Sequence, residues 1–209
     1  YDEVNNDQRD VIYTEREKVL EGDNMRPLIV RFITDTVDNY VAECIGEGQT
    51  PKEWDLSGLN DTLMSIIPLK KLRLTEEEYE NMTGDELSQR LKEEAIRLYE
   101  QKEAEFPNPE QMRDAERVIL LKVMDQKWMS HIDDMDILRD GIGLQAYGQK
   151  DPLVEYKIAG YEMFQNMMRS IQEETIRVLY QIKLEQKVER EQMAKPLATN
   201  RDESAVRSP

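Results

Sequence analysis

The sequence predicts an all-α protein built from a long scaffold helix, an inserted small helical subdomain and an antiparallel two-helix hairpin. Three observations lead there. Apolar residues recur at helical spacing along most of the 209 residues, and alternating β patterns are almost absent. Capping signals divide the chain into segments of helical length. Charged residues make up 34% of the chain and mean hydropathy is -0.75, which suits elongated helices with large solvated faces better than one compact globule.

Residues 1–21 read as a helix, with Val4, Val11, Ile12 and Val19 as its apolar stripe. Tyr1 arrives without a cap, as it would in a helix begun further upstream. Gly22-Asp23-Asn24 interrupts, and Pro27 opens a second helix with the stripe Ile29, Ile33, Val37, Tyr40 and Cys44, stopped by Gly46 and Gly48. Thr50 through Glu53 forms a capping box, so a short helix carrying Trp54 is expected next. Ser57 through Ile67 supports another short helix, ended by Pro68. Lys70, Lys71 and Arg73 sit on a connector and read as a solvated loop. Thr75 with Glu78 and Thr83 with Glu86 are two further capping boxes; the second opens a long helix through Glu105 with the stripe Leu87, Leu91, Ala95 and Leu98. Residues 22–107 thus read as the inserted subdomain, bounded by Phe106-Pro107-Asn108-Pro109.

The rest of the chain is organised as the hairpin, residues 108–190. Asn108 can cap and Pro109 suits the first helical position. In the first arm Leu121, Trp128, Met135 and Ile142 recur every seven residues, with Met124, His131 and Leu138 at the intervening positions. The return arm carries Val154, Tyr161, Met168, Thr175 and Ile182 at one register and Phe164, Ile171 and Val178 at the other. Between them, Gly141, Gly143, Gly148 and Pro152 read as turn geometry that ends both helices, presenting Leu144 and Tyr147 on the tip. Residues 191–209 lose the pattern and read as a disordered linker.

Several function classes are excluded. A net charge of -16 opposes nucleic-acid binding, which needs clustered Lys and Arg to displace counterions. No stretch approaches the roughly 20 apolar residues of a membrane span. Neither a GxxxxGK[ST] nor a GxGxxG loop occurs, so no phosphate cradle is visible. His131 is the single histidine, which precludes a His–His metal pair or a Ser–His triad within the chain and leaves it as a core histidine on the seam. Cys44, without a basic neighbour, reads as a core residue, and acidic runs such as Glu76-Glu77-Glu78 read as helix-start charge. Seven of the 11 methionines lie on the hairpin, where packing explains most of them and an adaptable contact face is the alternative.

The run Lys127-Trp128-Met129-Ser130-His131-Ile132-Asp133-Asp134-Met135 and on through Ile142, followed by Leu144, Tyr147 through Pro152 and Glu155-Tyr156, closely resembles the SecA family of bacterial preprotein translocase motors, in its C-terminal two-helix finger. Tyr1 through Arg16 looks like the end of that family's scaffold helix, and Trp54-Asp55-Leu56 with Gly58-Leu59 like its helical wing. The resemblance covers about residues 1–190. It implies that 1–21 and 108–190 belong to the helical scaffold and 22–107 to the wing. It further implies a non-enzymatic part of an ATP-driven motor, in which the finger enters the SecYEG channel, the tip tyrosine aligned with Tyr147 touches the unfolded preprotein, and the hairpin restrains ATPase activity. Tip contacts would fall to Tyr147, Leu144 and Ile142. ATP and magnesium would be held by the parent's own ATPase domains and zinc by a C-terminal tail, none of them by the residues here; a homodimer stays open. The location implied is the bacterial cytoplasm and the cytoplasmic face of the inner membrane, reached only through the channel.

The tip departs from the family where Gly143 replaces a common His or other polar residue, Gln145 an Arg and Gly148 an Ala, giving a less basic and more flexible loop. Two rival readings are a coiled-coil dimerisation module that pairs the seam between chains, and a hydrolase using acidic clusters, which lacks a nucleophile–base pair.

Overall fold

The computed structural model describes residues 1–184 except Asp23, Ala146, Tyr147 and Gln149, together with the backbone alone of Gln145. The expected linker 191–209 and the tip residue Tyr147 lie outside the described residues. Among the described residues the chain is all helical: α1 (Asp2–Glu21), α2 (Arg26–Cys44), a 3₁₀ turn (Pro51–Glu53), α3 (Leu56–Met64), α4 (Glu76–Asn81), α5 (Gly84–Ala104), α6 (Pro109–Gln145) and α7 (Pro152–Gln181).

The helix starts follow their local chemistry. At α4 the Glu78 N–H donates to Thr75 Oγ1 at 3.2 Å while the Thr75 N–H donates to the Glu78 carboxylate at 2.8 Å, a reciprocal box repeated by Thr83 and Glu86 at α5. The box at Thr50 closes only a 3₁₀ turn rather than the expected helix through Trp54. The reason is the next residue: Asp55 accepts from the Gly58 N–H at 2.9 Å and starts α3 at Leu56, one residue before the expected position. Asn108 accepts from the Gln111 N–H at 2.9 Å, opening α6 as expected. Gly48, at φ +74, takes the left-handed conformation in the stop after α2.

One buried cluster runs from Ile12 and Val19 of α1 through α2, α3 and α5 into the first half of α6 and the second half of α7. The predicted stripe of α2 is buried at Ile29, Ile33 and Val37, while Tyr40 and Cys44 are half-buried and Phe32 and Val41 complete the face. On α5 Leu87, Leu91 and Ala95 are buried as expected, with Tyr99 in place of half-buried Leu98. On α1 Ile12 and Val19 point inward, Val4 is half-buried, and Val11 faces out because Gln8 holds the inward position instead. Lys70, Lys71 and Arg73 are exposed on their connector. That connector is pinned beneath them by buried Asn60, whose side chain donates to the Leu72 carbonyl at 3.2 Å and accepts from the Leu72 N–H at 2.7 Å.

Polar contacts tie the far half of α7 to segment 22–107. The Tyr180 hydroxyl donates to the Ala95 carbonyl at 2.6 Å, Lys102 Nζ to the Ile182 carbonyl at 2.9 Å and Arg177 Nε to the Ser65 carbonyl at 3.2 Å. Arg169 pairs with Glu43 and stacks its guanidinium 4.8 Å from the centre of the Tyr40 ring. The base of the hairpin is therefore built into the body of the molecule.

Asn60→Ala should cost roughly 2–3 kcal/mol, because it strips both partners from buried Leu72 backbone groups. Chemical denaturation checks this, with the exposed Asp61→Ala as a control expected within about 0.5 kcal/mol of the parent.

Candidate functional site

The hairpin is the longest feature of the chain. With 37 residues in α6 and 30 in α7 its arms extend about 55 Å and 45 Å at 1.5 Å per residue. Of the predicted seam, Trp128, Met135, Phe164 and Ile171 are buried, and Leu121, Leu138 and Met168 are half-buried. Tyr161 is a correction: it is 65% exposed and points away from the seam, as does Val154. The buried face of α7 runs instead through Tyr156, Gly160, Phe164, Met167, Ile171, Thr175 and Leu179. Its steps are of three and four residues, mostly four, which fits a straight helix with 3.6 residues per turn. A strict seven-residue repeat drifts off such a face. The face is also wider than a two-helix seam, because α1 and α2 pack on α7 beside α6.

The tip differs from expectation in a second way. Helix α6 does not end at Gly141 but continues through Gly143 to Gln145, so these two glycines belong to its last turns and not to the turn itself. Neither has a positive φ, and no atom stands within 4 Å of an added Cβ. Their effect is on helix strength, since each glycine weakens a helix by about 1 kcal/mol relative to alanine. The helix runs on past them with Ile142 buried, 9% exposed, in one cluster with Met135 and Tyr156. Ile142 therefore packs inward, while Leu144 stands out at 80% exposure. Gly148 lies in an exposed bend. Beyond it, Asp151 accepts from the Leu153 N–H at 2.9 Å and Pro152 fills the first position of α7.

The residues that sequence reasoning missed are Gln8 and Gly160. Buried Gln8 of α1 donates through Nε2 to the Gly160 carbonyl of α7 at 3.0 Å and accepts, on Oε1, from His131 Nε2 of α6 at 2.7 Å. A carbonyl only accepts, which orients the Gln8 amide and leaves its oxygen facing the histidine; His131 then carries its proton on Nε2. The imidazole lies between Trp128 and Phe164, with ring centres at 5.6 and 5.8 Å. Burial pushes the His131 pKa below its usual 6.5, and Asp134 opposes that shift. Nearby, the Tyr156 hydroxyl donates to Asn5 at 2.9 Å and its ring meets the edge of Tyr1 at 4.6 Å. A signal for Gln8 existed: it stands four residues from both Val4 and Ile12, a polar residue inside an apolar stripe.

The His131 ring has Gln8 as its hydrogen-bond partner, and among the described residues no group of three or more His, Cys, Asp or Glu lies together as a metal site. The Cys44 thiol is half-buried and its pKa is pushed up by burial, away from reactivity. Among the described residues no helix is long and apolar enough to cross a membrane. What the site offers is a braced rod with an exposed apolar end.

Met135→Ala should cost roughly 2–5 kcal/mol, whereas Ile137→Ala, at a position 70% exposed, should stay within about 0.5 kcal/mol; urea titrations of the two variants separate the inward from the outward face. The histidine sets a pH dependence. Its folded pKa lies below the unfolded one, so the unfolded chain binds the proton first. The neutral-form contribution is whole above about pH 6.5 and declines as pH falls from there toward the folded value. Stability curves measured from pH 7.5 to 5.5 should show this step, and His131→Gln should lack it.

Comparison with known proteins agrees with the geometry. Residues 1–183 match the family described as SecA Wing and Scaffold domain. The chain is 54% identical, over its full 209 residues, to the protein translocase subunit SecA of Lachnoclostridium phytofermentans, covering 24% of that protein. It is 45% identical over 210 aligned residues to SecA of Alkaliphilus oremlandii, covering all of this chain and 23% of that protein. Against SecA 1 of Thermobifida fusca it is 44% identical over 189 residues, with 88% of this chain and 19% of that protein covered. The chain spans about a quarter of the length of these relatives. Its all-helical architecture, its hairpin and its match over residues 1–183 establish that the chain belongs to the SecA family, in the wing and scaffold region.

Proposed function

We propose that the chain is the wing-and-scaffold part of an ATP-driven preprotein export motor, with 1–21 and 108–190 as scaffold and 22–107 as wing. It couples ATP hydrolysis, carried out by nucleotide-binding domains elsewhere in the motor, to movement of an unfolded preprotein through the SecYEG channel at the cytoplasmic face of the membrane. The chain contributes no reacting group of its own. Magnesium and ATP belong to those other domains, and the hairpin restrains their hydrolysis until a channel is engaged.

The observation that carries this reading is the contrast along the hairpin. Its base is fused with the body through Tyr180, Lys102 and Arg177, and its end exposes Leu144 beyond the buried Ile142. A helical rod held at one end can transmit force over tens of ångströms, and an apolar tip can meet varied sequences without hydrogen-bond specificity. The polypeptide contact therefore rests on Leu144 and Tyr147, with Ile142 supporting the tip from inside. The dimerisation alternative is weakened because Trp128, His131 and Met135 are already covered within the chain by α1 and α7.

The chain added to the ATPase domains of its motor should bind and slow their hydrolysis; absence of both effects would remove the scaffold assignment. In the assembled motor, Leu144→Ala and Tyr147→Ala should leave thermal stability within about 0.5 kcal/mol of the parent. Both should lower photocrosslinking from the tip to a translocating polypeptide, and an unchanged crosslink at either position would take that residue off the contact surface.

A further inference from the structure

The hairpin is held along its length by two apolar clusters that do not merge. The main core ends, toward the tip, at Trp128 of α6 and Phe164 of α7. A separate small cluster of Met135, Ile142 and Tyr156, with half-buried Val4, Leu138 and Met163, holds the outer part. Between the two lies the polar junction of Gln8, His131 and the Gly160 carbonyl. A cavity of about 50 Å³ opens at this junction beside the His131 ring, lined by Asn5, Gln8, Arg9, Trp128, Ile132 and Met135.

We propose that the Gln8 amide is a positioning latch: it clamps the outer half of the hairpin to α1 through His131 and Gly160, and its opening frees that half while the base stays in place. The reason lies in what the hydrogen bonds replace. An apolar contact that opens exposes surface to water at a cost set by area, but a buried hydrogen bond can be exchanged for one to water if water reaches it. Polar walls and room beside the ring provide that access. Past the latch, α1 is tied to the outer half by few groups: half-buried Val4 in the small cluster, the Tyr156 hydroxyl on Asn5, the Tyr1 ring edge and the exposed Arg139–Asp2 pair at 3.9 Å. Exposed pairs of that kind add little. The base, by contrast, is embedded in the continuous core. Opening therefore has a natural boundary near residues 131 and 160.

Gly160 lets the latch close. A Cβ there would stand 2.8 Å from Met135 Cε and in ordinary contact with Val4 Cγ1 at 3.7 Å, so all three helices meet at this position and a methyl group would have to displace the end of the Met135 side chain. The charged group that acts on His131 is Asp134 on its own helix, while Arg9 of α1 lines the same cavity; from α7 the ring meets the uncharged Phe164. Protonation would put a second N–H on the ring, at Nδ1, while Gln8 Oε1 is already engaged by Nε2–H.

The test uses the fact that His131 is the single histidine of the chain. Long-range ¹⁵N–¹H correlation of its ring at pH 7.5 should show the Nε2–H tautomer held; an Nδ1–H tautomer, or the averaging of free imidazole, would overturn the latch. Hydrogen exchange then reads position separately from stability. Gln8→Met should speed exchange several-fold in amides 132–145 and 153–160, leaving 165–181 unchanged. A uniform increase would mean that Gln8 only adds to global stability, and no increase would mean that it holds nothing; both defeat the proposal. Gln8→Glu supplies the conservative variant. A carboxylate there raises the His131 pKa above its unfolded value, so outer-half protection should rise as pH falls from 7.5 to 5.5, opposite to the parent. A slope of the parent's sign would show that residue 8 does not govern the histidine.

Discussion

The structure depends on the close approach of three helices at Gly160. Without a side chain there, the end of the Met135 side chain of α6 enters the space a Cβ would take, and Val4 of α1 stands in ordinary contact beside it. A glycine in a helix interior weakens the helix by about 1 kcal/mol relative to alanine, and α7 tolerates it because packing supplies most helical stability in proteins. The consequence is that α1 is a third wall of the hairpin and not a lead-in to it. Two long arms joined at one end would otherwise have only each other to bury against.

A second constraint lies where the chain passes twice between segment 22–107 and the hairpin. Arg117 of α6 donates to the Val19 carbonyl at 3.1 Å and to the Gly22 carbonyl, satisfying the end of α1. Arg26, just after that crossing, pairs with Glu100 and Glu103 at 3.1 and 3.4 Å. Arg113, just after the return crossing, pairs with Glu103 and Glu116, each at 2.9 Å, and the Tyr99 hydroxyl donates to Glu116. Glu116 is fully buried, and burial pushes its pKa up while the Tyr99 hydroxyl and Arg113 oppose that. Pairs this deep return little net stability, because the cost of removing the charges from water nearly cancels their attraction. Their effect is on geometry, since any other arrangement of the two crossings would leave a buried carboxylate unpaired.

How much of this could be read from sequence follows from which signals are local. Capping boxes at Thr75 and Thr83 and the start at Asn108 and Pro109 depend on neighbours three residues away, so they were legible. The seam residues Trp128, Met135, Phe164 and Ile171 were legible too, because large apolar side chains at helical spacing go inward whatever they meet. Tyr161 was misplaced because a two-helix seam and a three-helix face differ by only a small rotation, and nothing within α7 announces α1 as a neighbour. Gln8 and Gly160 are neither apolar nor large, and their importance appears only when residues 152 positions apart in sequence are brought together. Gly141 and Gly143 failed for the opposite reason. Glycine is a helix stop by local preference, but burial of Ile142 one residue on carries the helix past it.

These two junctions divide the labour along one rod. At the base, charge pairing and a continuous apolar core make the hairpin and segment 22–107 a single body, so a displacement applied to either is carried by the other. At Gly160 the attachment to α1 is small and beside a cavity, a hydrogen bond from Gln8 with Val4 packed next to it, the kind of contact that can be made and broken without dismantling the main core. A uniformly apolar seam from base to tip would have held the outer half as tightly as the base and left it one position. A uniformly polar one would not have kept two arms of 37 and 30 residues together. With His131 in the middle, the rod is continuous with the core at its base and joined to α1 by a small polar contact farther out.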